Sequence, residues 1–90
     1  MSPKRIEEYL QIIYKDGGGL PMCNAVMDYI VVVLGKYLQM MVAYNIEKED
    51  TDSVTSQFEQ FNEQYANLVK VFERVTHKVY KPGEKAVHWG

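Results

Sequence analysis

Residues 54–79 read VTSQFEQFNEQYANLVKVFERVTHKV, and large apolar side chains recur in them at alternating steps of four and three. The mean spacing of about 3.5 residues is that of a helix packed lengthwise against another helix. The pattern therefore predicts one long α-helix with a single apolar face. We call this face the heptad stripe; its members are Val54, Phe58, Phe61, Tyr65, Leu68, Phe72, Val75 and Val79.

A second stretch, residues 22–46, is almost entirely apolar. The six exceptions are Asn24, Asp28, Gly35, Lys36, Gln39 and Asn45. A helix that is apolar around most of its circumference belongs in the interior of a structure. Residues 29–34 would also suit a buried strand, but their flanks carry no turn residues and favour helix. Gly35 costs about 1 kcal/mol inside a helix relative to alanine, which indicates close approach of a neighbouring helix.

Local signals divide the chain into three helices over about residues 3–16, 22–46 and 53–81, with a tail at 82–90. Pro3 suits a first helical position, and the three glycines at 17–19 end the first helix. Asp52 or Ser53 is the expected cap of the third helix, which Pro82 and Gly83 stop. The predicted fold is all-α, with one domain at 1–81: a short helix followed by a long antiparallel helical hairpin, together a three-helix bundle.

Helix lengths predict self-association. At about 1.5 Å per residue the three helices measure ~20, ~37 and ~43 Å, so the first covers only about half of the hairpin. The uncovered apolar surface predicts a homodimer or higher oligomer, because large exposed patches usually mark interfaces. The residues expected in the core or in this interface are the heptad stripe together with Tyr29, Val33, Gly35 and Tyr37.

Basic side chains form the candidate binding site. A basic stripe lies along the second half of the third helix, beside the glycine loop and the start of the second helix. Such a site suits a phosphate, a nucleotide or an acidic protein surface, with Trp89 as an anchor. A solvated face is the simpler alternative. The candidate residues are Lys70, Arg74, His77, Lys78, Lys81, Trp89, Gly17, Gly18 and Gly19.

Composition argues against several other classes of protein. The net charge of −2 gives no global attraction to DNA or to anionic membranes. Asp28 and Lys36 interrupt the second helix, and a central charge costs about 2.5–3.5 kcal/mol on membrane insertion. No cysteine or histidine cluster predicts a metal or a cofactor, and no nucleophile motif predicts catalysis. The charged first residues, Met1 to Glu8, lack a secretion signal, so we expect a cytoplasmic protein, in the host cytoplasm if it comes from a phage or mobile element.

These observations predict a non-enzymatic regulatory, adaptor or inhibitor protein that associates with itself and binds a larger protein partner. The alternative is a helical oligomer that captures an anionic metabolite or nucleotide between subunits, near the glycines and the basic stripe. DNA binding by that stripe is a weaker alternative, because only a handful of charges would contact phosphates.

Overall fold

The computed structural model describes residues 3–83, which form three α-helices and no β-strand. Helix α1 spans Pro3–Lys15, α2 spans Gly19–Glu47 and α3 spans Thr51–Thr76. Each helix contacts the other two. The prediction of an all-α chain is confirmed, and residues 29–34, for which a strand was the alternative, lie inside α2.

Helix α2 begins at Gly19, three residues earlier than predicted. The N–H of Met22 donates to the carbonyl of Gly18 at 3.4 Å, so the first turn already includes Pro21. Proline is tolerated there because the first N–H groups of a helix have no partner within it. The reversal between α1 and α2 instead depends on Gly17, whose φ of +95° favours glycine.

The connection between α2 and α3 takes only residues 48–50. Glu49 adopts a left-handed φ of 59°, and the N–H groups of Glu49 and Asp50 donate to the carbonyls of Ile46 and Asn45. This is the Schellman arrangement that ends many helices. Asp50, rather than the predicted Asp52 or Ser53, caps α3: its carboxylate accepts from the N–H of Ser53 at 3.1 Å and from its hydroxyl at 2.6 Å. These bonds lower the pKa of Asp50.

The core lies where α1 covers α2 and α3. Leu10 of α1 is fully buried, and its carbonyl accepts a hydrogen bond from the Sγ of Cys23 at 3.5 Å. The other buried members come from residues 23–31 of α2, from residues 68–72 of α3 and from the segment after α3. In chain order the core is Leu10, Cys23, Met27, Ile30, Val31, Leu68, Val71, Phe72 and Tyr80.

Beyond the core, α2 and α3 continue as two helices without α1. Leu34 and Leu38 line a small groove with Gln57 and Phe61, whereas Asp28 contacts residues 80 and 83. The described chain is elongated, at 48 × 24 × 17 Å, with a radius of gyration of 14.6 Å. A compact chain of this length would have a radius of about 12 Å.

The burial of the heptad stripe differs between the part of α3 that α1 covers and the part that it does not. Leu68 and Phe72 are buried in the core, and Phe58 is 48% exposed in the half without α1. Val79 does not lie on the helix, because α3 ends at Thr76. The remaining members, Val54, Phe61, Tyr65 and Val75, are half-buried.

Candidate functional site

The end of α3 differs from the prediction of a helix reaching Lys81. His77 adopts a left-handed φ of 59°, and its N–H donates to the carbonyl of Glu73 at 2.8 Å, which closes the helix at Thr76. The hydroxyl of Thr76 donates back to the carbonyl of Phe72 at 2.8 Å and accepts from the N–H of Lys78 at 3.2 Å. The chain therefore leaves the helix axis at residue 77.

This early end divides the predicted basic stripe. Only Lys70 and Arg74 lie on α3, whereas His77, Lys78 and Lys81 lie at or beyond its end, so the five do not share one helical face. Arg74 is paired with Glu7 of α1: its Nη2 and Nε lie 2.6 and 2.7 Å from the same carboxylate oxygen. That pair joins α1 to α3 and offsets the charge of Arg74. The prediction of one continuous basic stripe is wrong.

The segment after α3 folds back onto α2. Tyr80 is 5% exposed, and its hydroxyl donates to the Oδ1 of Asp28 at 2.5 Å. The N–H of Gly83 donates to the same oxygen at 2.9 Å. The Tyr80 ring lies 5.4 Å, centroid to centroid, from that of Phe72. Asp28, which the sequence offered only as an interruption of an apolar helix, thus anchors residues 77–83 on the core.

Tyr80 makes the free energy of unfolding fall as pH rises through the alkaline range. Burial raises its pKa well above the ordinary value, and the bond to Asp28 raises it further. Above pH of about 10 the unfolded chain loses this proton while the folded chain keeps it, so the free energy of unfolding falls by at most about 1.4 kcal/mol per pH unit. Below that pH the contribution is fully present and constant.

The measurement is urea unfolding between pH 8 and the alkaline limit of the fold, compared with Tyr80→Phe. The variant has no hydroxyl to titrate, so the free energy that separates the two proteins should shrink as pH rises through this window. A separation that stays constant to high pH would contradict the assignment.

An open groove of about 450 Å³ lies between the start of α2 and the segment after α3. Lys78 and Lys81 lie on its rim, so the structure brings two of the predicted basic residues beside the start of α2. Lys70, Arg74 and His77 do not line it, and Gly19 is the first residue of α2 rather than a loop residue. The wall is otherwise mostly apolar. The lining residues are Leu20, Pro21, Asn24, Phe72, Lys78, Val79 and Lys81.

The larger candidate surface is the face of α2 turned away from the core. Its apolar side chains recur every three or four residues, within a sector of about 80° on a helix of 3.6 residues per turn. Tyr29 is 72% exposed and Met40 is 70% exposed. Lys36 lies at the edge of the same sector. We call this face the outer stripe; its members are Met22, Val26, Tyr29, Val33, Tyr37, Met40 and Tyr44. Six of them are exposed, whereas Val26 is half-buried and also packs against the core.

Three of the four predicted α2 interface residues, Tyr29, Val33 and Tyr37, belong to the outer stripe. Gly35 lies on the other side of α2 and is buried. By length and composition α2 would also be apolar enough to cross a membrane, a test that core helices of soluble proteins pass as well. Trp89 lies outside the described residues. Residues 3–83 contain no cluster of three or more histidine, cysteine or acidic side chains suited to a metal ion.

No family model, curated protein or solved structure shows significant similarity to this chain.

Proposed function

We propose that this chain is a non-enzymatic protein–protein interaction module, of the small regulatory, adaptor or inhibitor kind, that works as a homo-oligomer. The exposure of the outer stripe supports this proposal. Covering one large apolar side chain gains about 1.5–3 kcal/mol, and the stripe leaves several of them in water along most of α2. A continuous apolar surface of this size marks an interaction site far more often than a free surface.

The proposed oligomer acts by masking a surface of its target. Self-association uses the outer stripe, which leaves the groove at the end of α3 accessible on each copy. Lys78 and Lys81 on its rim would attract an acidic surface of a larger protein, while Leu20 and Val79 offer apolar contact. Repeating this groove in an oligomer raises avidity for a target that has more than one binding site.

The lone thiol argues against nucleophilic catalysis by Cys23. This side chain is fully buried between α1 and α2, and burial raises its pKa. A thiol in these surroundings stays protonated, whereas a nucleophilic cysteine needs the thiolate form and access to solvent.

A second candidate function, capture of an anionic metabolite or nucleotide, is favoured by one observation. Lys78 and Lys81 line the same groove as Leu20 and Pro21, which belong to the first turn of α2. Free N–H groups at the start of a helix attract anions, and two ammonium groups add to that attraction.

One set of thermal unfolding measurements tests both candidates. For a homodimer, each tenfold rise in protein concentration stabilises the folded form by about 1.4 kcal/mol, which raises the midpoint by about 3–5 °C for a dimer of this size. Between about 2 and 200 µM protein we expect the midpoint to rise by this amount at each tenfold step. Added inorganic phosphate or ATP should not raise it further.

The alternative results are distinct. A midpoint that is independent of protein concentration would contradict the homo-oligomer. A midpoint that rises with ATP or phosphate would favour anion capture, since a ligand at a hundredfold excess over its dissociation constant contributes about 2.7 kcal/mol. Lys78→Glu with Lys81→Glu should abolish that second rise if the groove is the site.

A further inference from the structure

The spacing of the outer stripe, though not every residue in it, is the same in both directions. Its members are separated by four, three, four, four, three and four residues, with Val33 at the midpoint. Four residues on either side of Val33 stand two tyrosines, Tyr29 and Tyr37. Seven residues away stand Val26 and Met40, and eleven residues away stand the last pair, Met22 and Tyr44.

This symmetry matches one kind of contact between two copies. When two identical helices pack antiparallel about a two-fold axis, the residue on the axis faces itself, and each residue before it faces one the same distance after it. The stripe has a mean spacing of about 3.7 residues, close to that of a straight helix, so it runs nearly parallel to the α2 axis for about 33 Å.

We propose that two copies of this chain pack through their outer stripes as an antiparallel pair of α2 helices, with the two-fold axis at Val33. The inference rests on the proposed self-association and specifies its geometry. Val33 would contact the Val33 of the second copy, and Tyr29 would contact its Tyr37.

Side-chain sizes favour the antiparallel pairing over a parallel one. A parallel pair would stack Tyr44 on Tyr44 at one end and Val26 on Val26 towards the other, so the helices would diverge along the contact. The antiparallel pair matches Val26 with Met40 and Met22 with Tyr44, which evens the separation of the axes. A parallel pair would also place the two Lys36 ammonium groups at one level beside the contact, whereas the antiparallel pair separates them along the axis.

The area available is close to what a stable dimer needs. Each large side chain offers about 200 Å², so the exposed fractions of the stripe sum to roughly 700 Å² per copy. Standard protein interfaces bury about 800 Å² per partner. A membrane is the poorer occupant, because the outer stripe is narrow and the charged, exposed side chain of Lys36 lies at its edge.

Disulfide cross-linking tests the register. The native chain is the control, because fully buried Cys23 should give no covalent dimer on mild oxidation. Val33→Cys should give a covalent dimer in high yield, because its thiol faces the same thiol of the second copy. Tyr29→Cys and Tyr37→Cys should each cross-link poorly alone and form a mixed dimer when combined, because position 29 faces position 37.

Each other outcome overturns the proposal in an identifiable way. Self-linked dimers of Tyr29→Cys alone and of Tyr37→Cys alone would indicate a parallel pair. No cross-link from any variant, in a protein that sediments as a dimer under reducing conditions, would contradict the register but keep self-association. A monomer that instead floats with phosphatidylcholine vesicles would contradict both.

Discussion

Replacing Tyr29 with glutamate is expected to raise the dissociation constant of the dimer at least about a hundredfold. Tyr29 is the most exposed large apolar side chain of the described chain, at 72%. Covering it contributes about 1.5–3 kcal/mol per copy, and two-fold symmetry repeats the loss, so about 3–6 kcal/mol disappears from the association free energy. A buried unpaired carboxylate adds a further cost. Sedimentation equilibrium over a range of protein concentrations measures the change.

Tyr9→Glu is the matched control. Tyr9 is an exposed tyrosine of α1, at 57%, and the substitution makes the same change in charge and size outside the outer stripe. We expect its dissociation constant to stay within about threefold of the native value, because Tyr9 lies outside the proposed contact. A threefold change corresponds to less than about 1 kcal/mol of association free energy. If the two variants dissociate equally, the general increase in negative charge, rather than the outer stripe, governs association.

Phe72→Ala is expected to lower the free energy of unfolding by about 3–5 kcal/mol, the usual cost of removing a buried phenyl ring. Phe72 is 1% exposed in the part of the core covered by α1, and its ring also contacts Tyr80. Its loss therefore weakens both the core and the anchoring of residues 77–83. Urea unfolding followed by circular dichroism measures the change at one fixed protein concentration.

Phe58→Ala removes the same ring from the same predicted stripe, where the side chain is 48% exposed. It should cost at most about half as much, because only about half of the side chain leaves water on folding and its removal leaves no enclosed cavity. Equal losses for the two variants would contradict the placement of the core at the end of the molecule covered by α1.

Much of the fold can be predicted from the sequence, since the spacing of Leu68 and Phe72 in the heptad stripe already indicates a helix with a packed face. Helix ends that lack glycine cannot be predicted as well. Glu49 and His77 both adopt left-handed φ values without a glycine to announce them. The path of the chain after His77 also involves a distant partner, because Tyr80 reaches Asp28 across 52 positions of sequence. Local pattern carries no signal for such a pair.

The candidate site was predictable only in part for a related reason. An amphipathic helix shows which face is buried, but α2 is apolar on both its core face and its outer stripe, so no polar contrast separates them. Tyr29, Val33 and Tyr37 were expected at an interface, whereas Met22, Val26, Met40 and Tyr44 were not singled out. The steps of four and three that join all seven could have indicated the complete outer stripe.

The mass of the native chain in solution tests self-association most directly. Sedimentation equilibrium between about 2 and 200 µM should show the dimer, at twice the chain mass of 10.5 kDa, as the dominant species at the upper concentrations, because the outer stripe offers an interface of nearly standard size. A folded species that keeps the mass of one chain throughout this range would contradict the account.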